Sequence, residues 1–472
     1  MKKSVLALIL LFYYTASFTQ NYFNNKFDIN NQGDGCASIV ETENGYIVEG
    51  FTAPPRQIFL MFLNKQGELL YYKFYQKPNY SYYNGSSGSI IKTNLNNYAI
   101  SGTLVFPIPD PNNPSENYTE SLLMLSDNNG DTLCSKTYCI SDSLWNSGMQ
   151  CKQTSDSGFI IVSRIISSYS PVNGDFLLIK TDRFGNKQWH HIYGDNKRET
   201  AFTVIQTPDK GYLMGGEHLT SGSPYMENDD AKIIKTDSLG NEKWSKLFGG
   251  IYDDYLAMVC LANDSNYMIA FAYCTFQTNT DDGYKRINII KTDTAGNVIW
   301  NKKYGTSLRQ LGVTICPVKN SGYIVTGYYN KSGLIYAGFL MRINENGDSL
   351  WYREYYYNNQ NQYLSYLIDV IPTTDNGFAS CGEVLSSGTN SFQDAWVIKT
   401  DSFGCLEADC TVGVTEIIKN KGMAIYPNPA RDKITFKINQ KDLAETKLVI
   451  YNIQGQILMQ KNIVQNNTEI DV

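Results

Sequence analysis

Lys180-Thr181-Asp182-Arg183-Phe184-Gly185-Asn186-Lys187-Gln188-Trp189 returns as Lys235 to Trp244 and Lys291 to Trp300, and as Arg342 to Trp351 with Asn344 in place of the Asp. Two earlier copies are worn: Leu125 to Cys134 and Phe62 to Tyr71 carry Cys and Tyr at the Trp position. Gly stands four residues before that position in Gly185, Gly240, Gly296, Gly347 and Gly67. A hairpin turn needs a residue that tolerates positive φ, and Gly does so without steric cost. The Asp or Asn that opens the turn can bond the backbone two residues on. The stretch reads as strand–turn–strand.

A second hairpin precedes each copy. Val204-Ile205-Gln206-Thr207 runs into Pro208-Asp209-Lys210-Gly211 and reverses at Tyr212-Leu213-Met214. Seven apolar segments restart in this way, at Tyr46, Tyr98, Phe159, Tyr212, Tyr267, Tyr323 and Phe378. Gly recurs four positions later at Gly50, Gly102, Gly216, Gly327 and Gly382, where a small residue allows close approach of a neighbouring strand. Four short strands in a period of about 50–60 residues mark one propeller blade. The expected fold is all-β: a seven-bladed β-propeller over 20–404, followed by a linker (405–421) and a small C-terminal β-sandwich (422–472).

The last unit stops at Lys399-Thr400-Asp401-Ser402-Phe403-Gly404-Cys405, with no aromatic fourth strand after it. Phe23-Asn24-Asn25-Lys26-Phe27 has the aromatic-to-aromatic spacing of Trp244-Ser245-Lys246-Leu247-Phe248. The N-terminal strand is therefore expected to complete the last blade. Closing the ring in this way removes open sheet edges.

Composition bounds the environment. Hydrophobic residues make up 42% and charged residues 18%, with 35 Tyr and 21 Phe, which favours strands. A net charge of −6 without a basic cluster argues against nucleic acid and anionic membranes. Met1-Lys2-Lys3 followed by Val5 to Phe12 reads as a secretory signal over 1–19, cut near Ser17 to Gln20. Past it, no stretch is apolar enough to span a bilayer. Of the 10 Cys, Cys134/Cys139 and Cys405/Cys410 are the closest pairs in sequence, and buried thiols are the expectation for most.

From Met423 the pattern changes to Ile425-Tyr426-Pro427-Asn428-Pro429-Ala430-Arg431-Asp432, then short alternating strands with a hairpin at Gln454-Gly455. Tyr426, Pro427, Asn428, Pro429 and Asp432, followed by Tyr451, Asn452 and Gly455, resemble the C-terminal sorting domain of type IX secretion substrates. The resemblance covers Gly422 to Val472 and implies handling by the type IX machinery, then release or attachment at the cell surface. That family normally continues past Ile470-Asp471-Val472, so a partial domain is expected. The propeller repeats resemble those common in exported proteins with this tail. Their Asp-x-x-Gly-x-x-x-Trp half is similar to quinoprotein repeats too, but no cofactor-holding residue is matched and no cofactor is expected.

Residues that carry chemistry are sparse. His190, His191 and His218 are the three His, and His190 and His191 read as packed or solvated rather than catalytic or metal-binding. No nucleophile elbow, zincin or P-loop motif occurs, and neither catalytic nor metal residues are assigned. One acidic set stands out. Five residues before the third-strand Lys or its equivalent lie Glu120, Asp175, Asp230 and Asp394, thickened by Asp229, Asp281 and Asp282. They could form an acidic rim for a cation or sugar, or simply start strands by bonding loop amides. The connections between second and third strands are long and dissimilar, so that face is expected to recognise ligands, whereas the short turns form a plain face. The sequence points to an exported binding or adhesion module for a glycan or protein. A carboxylate hydrolase or lyase and a structural spacer are the alternatives.

Overall fold

The computed structural model describes 21–407 apart from 30, 54–55, 108–116, 141–144, 167–173, 224–225, 276–284, 306–308, 320, 333–334, 358–363 and 386–391; beyond 407 it describes 423–426, 433–438, 447–451, 457–462, 465 and 467–471. The secretory signal expected over 1–19 lies outside the described residues. Two compact units emerge, Met1–Ala408 and Asp409–Val472. No α-helix occurs among the described residues.

In the first unit, Gly33–Glu41, Gly45–Ala53, Gln57–Asn64 and Leu69–Tyr75 form a four-stranded antiparallel sheet in chain order. The same order recurs from Glu199 to Phe248, from Tyr255 to Tyr304 and from Arg309 to Tyr355. A nine-stranded sheet holds the strands from Ser81 to Tyr193, and its two halves join where Trp145 pairs in parallel with Thr119. In a further sheet Phe23–Phe27 runs antiparallel beside Gln393–Thr400, with Phe23 opposite Lys399 and Phe27 opposite Ala395.

Apolar alternation on both faces of each sheet lets neighbouring sheets bury one another. Ile58 and Leu60 pack with Ile100 and Leu122 between the first two strand groups, and Ile324 and Leu340 pack with Val370 and Ile398 between the last two. One cluster joins the ends of the series: Val48 and Phe59 lie against Cys381 and Val397. The arrangement is propeller-like, with consecutive sheets in face contact and the first against the last.

The repeated decapeptide is explained letter by letter in Lys235 to Trp244. The Lys235 ammonium, its side chain buried, donates to Asp209 of the preceding turn at 3.0 Å and to the Thr236 carbonyl at 2.7 Å. Asp237 Oδ1 accepts the amides of Leu239 and Asn241, both at 2.9 Å, which fixes the turn. Gly240 sits at φ +87, where a side chain would also strike His191 of the neighbouring sheet. Trp244 is half-buried, and its indole N–H donates to the Thr294 carbonyl at 3.3 Å. Asp127 closes its own turn likewise by accepting the amides of Asn129 and Asp131.

The second unit contains a three-stranded sheet (Met423–Tyr426, Lys433–Ile438, Asn467–Asp471) and a two-stranded one (Lys447–Tyr451, Ile457–Asn462). Tyr426 and Tyr451 lie on these strands; Pro427, Asn428, Pro429, Asp432, Asn452 and Gly455 lie outside the described residues.

Candidate functional site

Seven strands of the first unit, each the one that enters a short turn, converge on one axial cavity of about 370 Å³. Only their far halves line it: Ile39 and Val40, Ile90 to Lys92, Gln150 and Lys152, Thr203 and Ile205, Met258 to Leu261, Thr314 to Pro317, Asp369 to Ile371. These segments run into the first short turn of each unit. The cavity therefore belongs to the short-turn face, which the sequence reading treats as plain. Much of the opposite, long-loop face falls outside the described residues.

One insertion shapes this cavity. Ser81–Asn84 and Ile90–Lys92 both pair with the strand Tyr98–Pro107, so Gly85-Ser86-Ser87-Gly88-Ser89 bulges out between them. The Ser86 amide donates to Met149 O at 2.7 Å and its hydroxyl to Phe202 O at 2.8 Å, while Ser87 Oγ donates to Asp369 Oδ1 at 2.8 Å. These partners sit on three different sheets, so the bulge spans the axis. Gly85 is required there because a Cβ would stand 2.1 Å from Met149 O.

A buried polar network locks the bulge in place. Asp369 also accepts from Ser38 Oγ at 3.0 Å and the Ile39 amide at 3.1 Å. Gln150 donates to Ser87 O at 2.6 Å and accepts from Thr203 Oγ1 and the Val204 amide, both at 3.0 Å. Ser89 donates to Glu49, a fully buried carboxyl that burial pushes up to about 8. Burial raises Asp369 too, against the pull of its hydrogen-bond donors. Nothing in the sequence reading singled these residues out, because Gly85 to Ser89 looks like an ordinary loop.

The acids singled out from spacing do not meet. Glu120 accepts from Tyr118 Oη at 3.1 Å. Asp229 pairs with Arg198 at 2.5 Å, and Asp394 with Lys26 at 2.6 Å. Asp175 and Asp230 each press on the glycine after the outer strand of their own sheet, where a Cβ on Gly194 or Gly249 would come within 2.0 or 1.9 Å of a carboxylate oxygen. Burial raises both. Asp281 and Asp282 lie outside the described residues. None of these acids lines the axial cavity.

Two tighter groups form nearby. His218 Nε2 lies 2.9 Å from Asp195 and 3.4 Å from the buried Glu199. Asp28 and Asp34 flank Asp394, with Asp34 pushed up to about 7 by burial. In each group one carboxylate already holds an ammonium: Lys232 on Glu199 at 2.5 Å and Lys26 on Asp394 at 2.6 Å. His190 and His191 are half-buried, and His191 Nε2 lies 3.0 Å from Leu239 O of the next sheet. Cys405 is disulfide-bonded, whereas Cys134 and Cys139 are free thiols.

Beside the cavity mouth is a groove of about 360 Å³ between the first two strand groups. Asn44, Asn96, Asn128 and Asn129 edge it, Tyr71 stacked on Phe62 at 4.4 Å supplies a flat wall, and Lys92 lines both groove and cavity. Tyr71 is 39% exposed, enough to receive a ring on its free face.

Residues 424–472 match the secretion system C-terminal sorting domain. The protein is thus of the class exported through type IX secretion to the cell surface or extracellular space. No curated protein matches the chain. Among solved structures, a protein of unknown function from Dyadobacter fermentans is similar at TM-score 0.48 and 9% identity, covering 80% of this chain and 98% of its own. A puromycin hydrolase is similar at TM-score 0.46 and 11% identity, over 85% of this chain and 58% of that one. An α-L-arabinanase from Penicillium chrysogenum follows at TM-score 0.42 and 9% identity, over 68% and 94%. Likenesses this distant carry no argument about activity.

Proposed function

We propose that this chain is a seven-bladed β-propeller, sealed by Phe23–Phe27, that is exported as a surface or secreted glycan-binding module. The observation that carries the ligand class is the groove walled by Tyr71 and edged by Asn44, Asn96, Asn128 and Asn129. An amide side chain offers a donor and an acceptor side by side, which suits the vicinal hydroxyls of a sugar. A flat ring with one face open suits the apolar face of a pyranose. The groove also has the size of a small-ligand site.

The full-length protein on a glycan array should give a saturable signal that Asn96→Ala and Tyr71→Ala each weaken at least about tenfold. Equal signals from the two variants and the parent protein would sink the groove reading. A hydrolase reading needs two carboxylates facing one cavity, and Glu120, Asp175, Asp229, Asp230 and Asp394 line neither the axial cavity nor the groove.

A further inference from the structure

We propose that the axial cavity binds a small carboxylate with a compact apolar body, of the chemistry of a medium-chain fatty acid, its head at Lys152 and its body along the converging strands. The site is separate from the glycan groove, and the inference stands without it.

Three observations converge. First, the chamber is walled mainly by apolar side chains, among them Ile205, Val259, Ile315 and Val370, and its volume of about 370 Å³ suits a small molecule. Second, the serine-rich bulge supplies Ser87 and Gly88 to the lining, so polar backbone meets the apolar walls on one side. Third, the half-buried Lys152 ammonium rests on that bulge: a Cβ on Gly88 would lie 3.2 Å from Nζ. Glycine is what leaves the ammonium this room.

Charge decides the kind of occupant. Among the described residues no carboxylate lies within ion-pair distance of Lys152 or Lys92. The acid in the lining, Asp369, is already engaged by two serine hydroxyls and two backbone amides. Asp369 feels the Lys152 charge but forms no ion pair with it, so the ammonium keeps its donors for a ligand carboxylate whose body displaces water from the apolar walls. Lys92 at the rim adds a second positive charge at the entrance, which favours anions on approach. A cationic amphiphile would meet both charges head on.

Calorimetric titration of the full-length protein with octanoate, octanol and octylammonium, all below their aggregation limits, tests the assignment. Octanoate is expected to saturate at one per chain, octanol to bind at least tenfold more weakly, and octylammonium not to bind. Lys152→Gln should cost octanoate at least tenfold while leaving the melting temperature and the glycan-array signal unchanged. Bound octanoate should also slow alkylation of Cys316, a half-buried thiol of the lining. Octanoate and octanol binding alike, a Lys152→Gln effect within twofold, or heats that never saturate would each overturn the proposal. A short peptide with a free C-terminal leucine binding more tightly than octanoate would overturn it in favour of a chain end.

Discussion

Tyr355 donates its hydroxyl proton to the backbone carbonyl of Gly404, 2.7 Å away on the next sheet. The same bond recurs from Tyr75 to Gly130 (2.6 Å), Tyr138 to Gly185 (2.7 Å), Tyr193 to Gly240 (2.5 Å) and Tyr304 to Gly347 (2.5 Å). Where the tyrosine is missing, another side chain takes its place: Lys246 bonds Gly296 O at 2.7 Å, and Asn25 bonds Gly67 O at 2.8 Å. Every acceptor is a turn glycine at positive φ. The turn that makes each outer hairpin thus also serves as the socket for its neighbour.

Replacing one of these tyrosines by Phe removes the bond and leaves a buried carbonyl short of a donor, at a cost of about 1–3 kcal/mol. Because the clasps are far apart, Tyr138→Phe and Tyr355→Phe combined should cost roughly their sum. Urea denaturation of the singles and the double checks both statements.

Trp244 is half-buried, packed against the cluster of Val259 and Tyr267. Trp244→Ala should therefore cost about 2–3 kcal/mol, below the roughly 3–5 kcal/mol of a fully buried aromatic. A loss of less than about 0.5 kcal/mol would place the ring outside the folded core's energetics.

The N-terminal strand is held by more than its ladder. Phe23 packs edge-on against Tyr46 at 5.7 Å, and the Trp396 indole donates to Asn24 Oδ1 at 2.6 Å. Phe23→Ala should cost about 3–5 kcal/mol, and removing 22–28 should lower the melting temperature of the whole first unit. A truncated protein melting with the parent would refute the latch.

Stability should fall on both sides of mildly acidic pH. Asp156 and Asp209 are held down to about 2 despite burial, by Lys180 for the first and by Thr207 and Lys235 for the second. A depressed carboxyl contributes stability above its unfolded value, and that contribution is lost as pH drops towards 2. Glu49 (about 8), Asp34, Asp254, Glu217 and Glu383 (each about 7) are raised by burial. Their contribution is complete below the ordinary carboxyl range and is lost as pH rises through 7 and 8. Thermal melts should peak near pH 4–5 and decline towards pH 8, and Glu49→Gln, which mimics the protonated acid, should flatten the alkaline decline.

Much of the scaffold could be read from the chain because each turn position has a local physical requirement. Gly240 must take a positive φ, and Asp237 must reach two amides within four residues. The aromatic-to-aromatic spacing read at Trp244 and Phe248 also runs from Trp189 to Tyr193, but it cannot show that the Tyr193 acceptor, Gly240, stands on another sheet. The acidic set shows the same limit: a shared spacing identified Asp175 and Asp230, whereas their surroundings depend on Gly194 and Gly249. The axial network was illegible for a stronger reason. Asp369, Ser38, Ser87 and Gln150 come from four separate strand groups, and no local pattern marks residues that meet only when the circle forms.

Trp396 and Asn24 touch although they stand 372 positions apart in the chain. Phe23–Phe27 can thus take its seat only late, since its partner strand is made after nearly the whole of the first unit. Until then Gln393–Thr400 and Phe23–Phe27 each present an unsatisfied ladder, and such non-local pairing is slow. An unpaired edge of this kind can instead pair with a neighbouring molecule, so the closing strand also guards the fold against exchange.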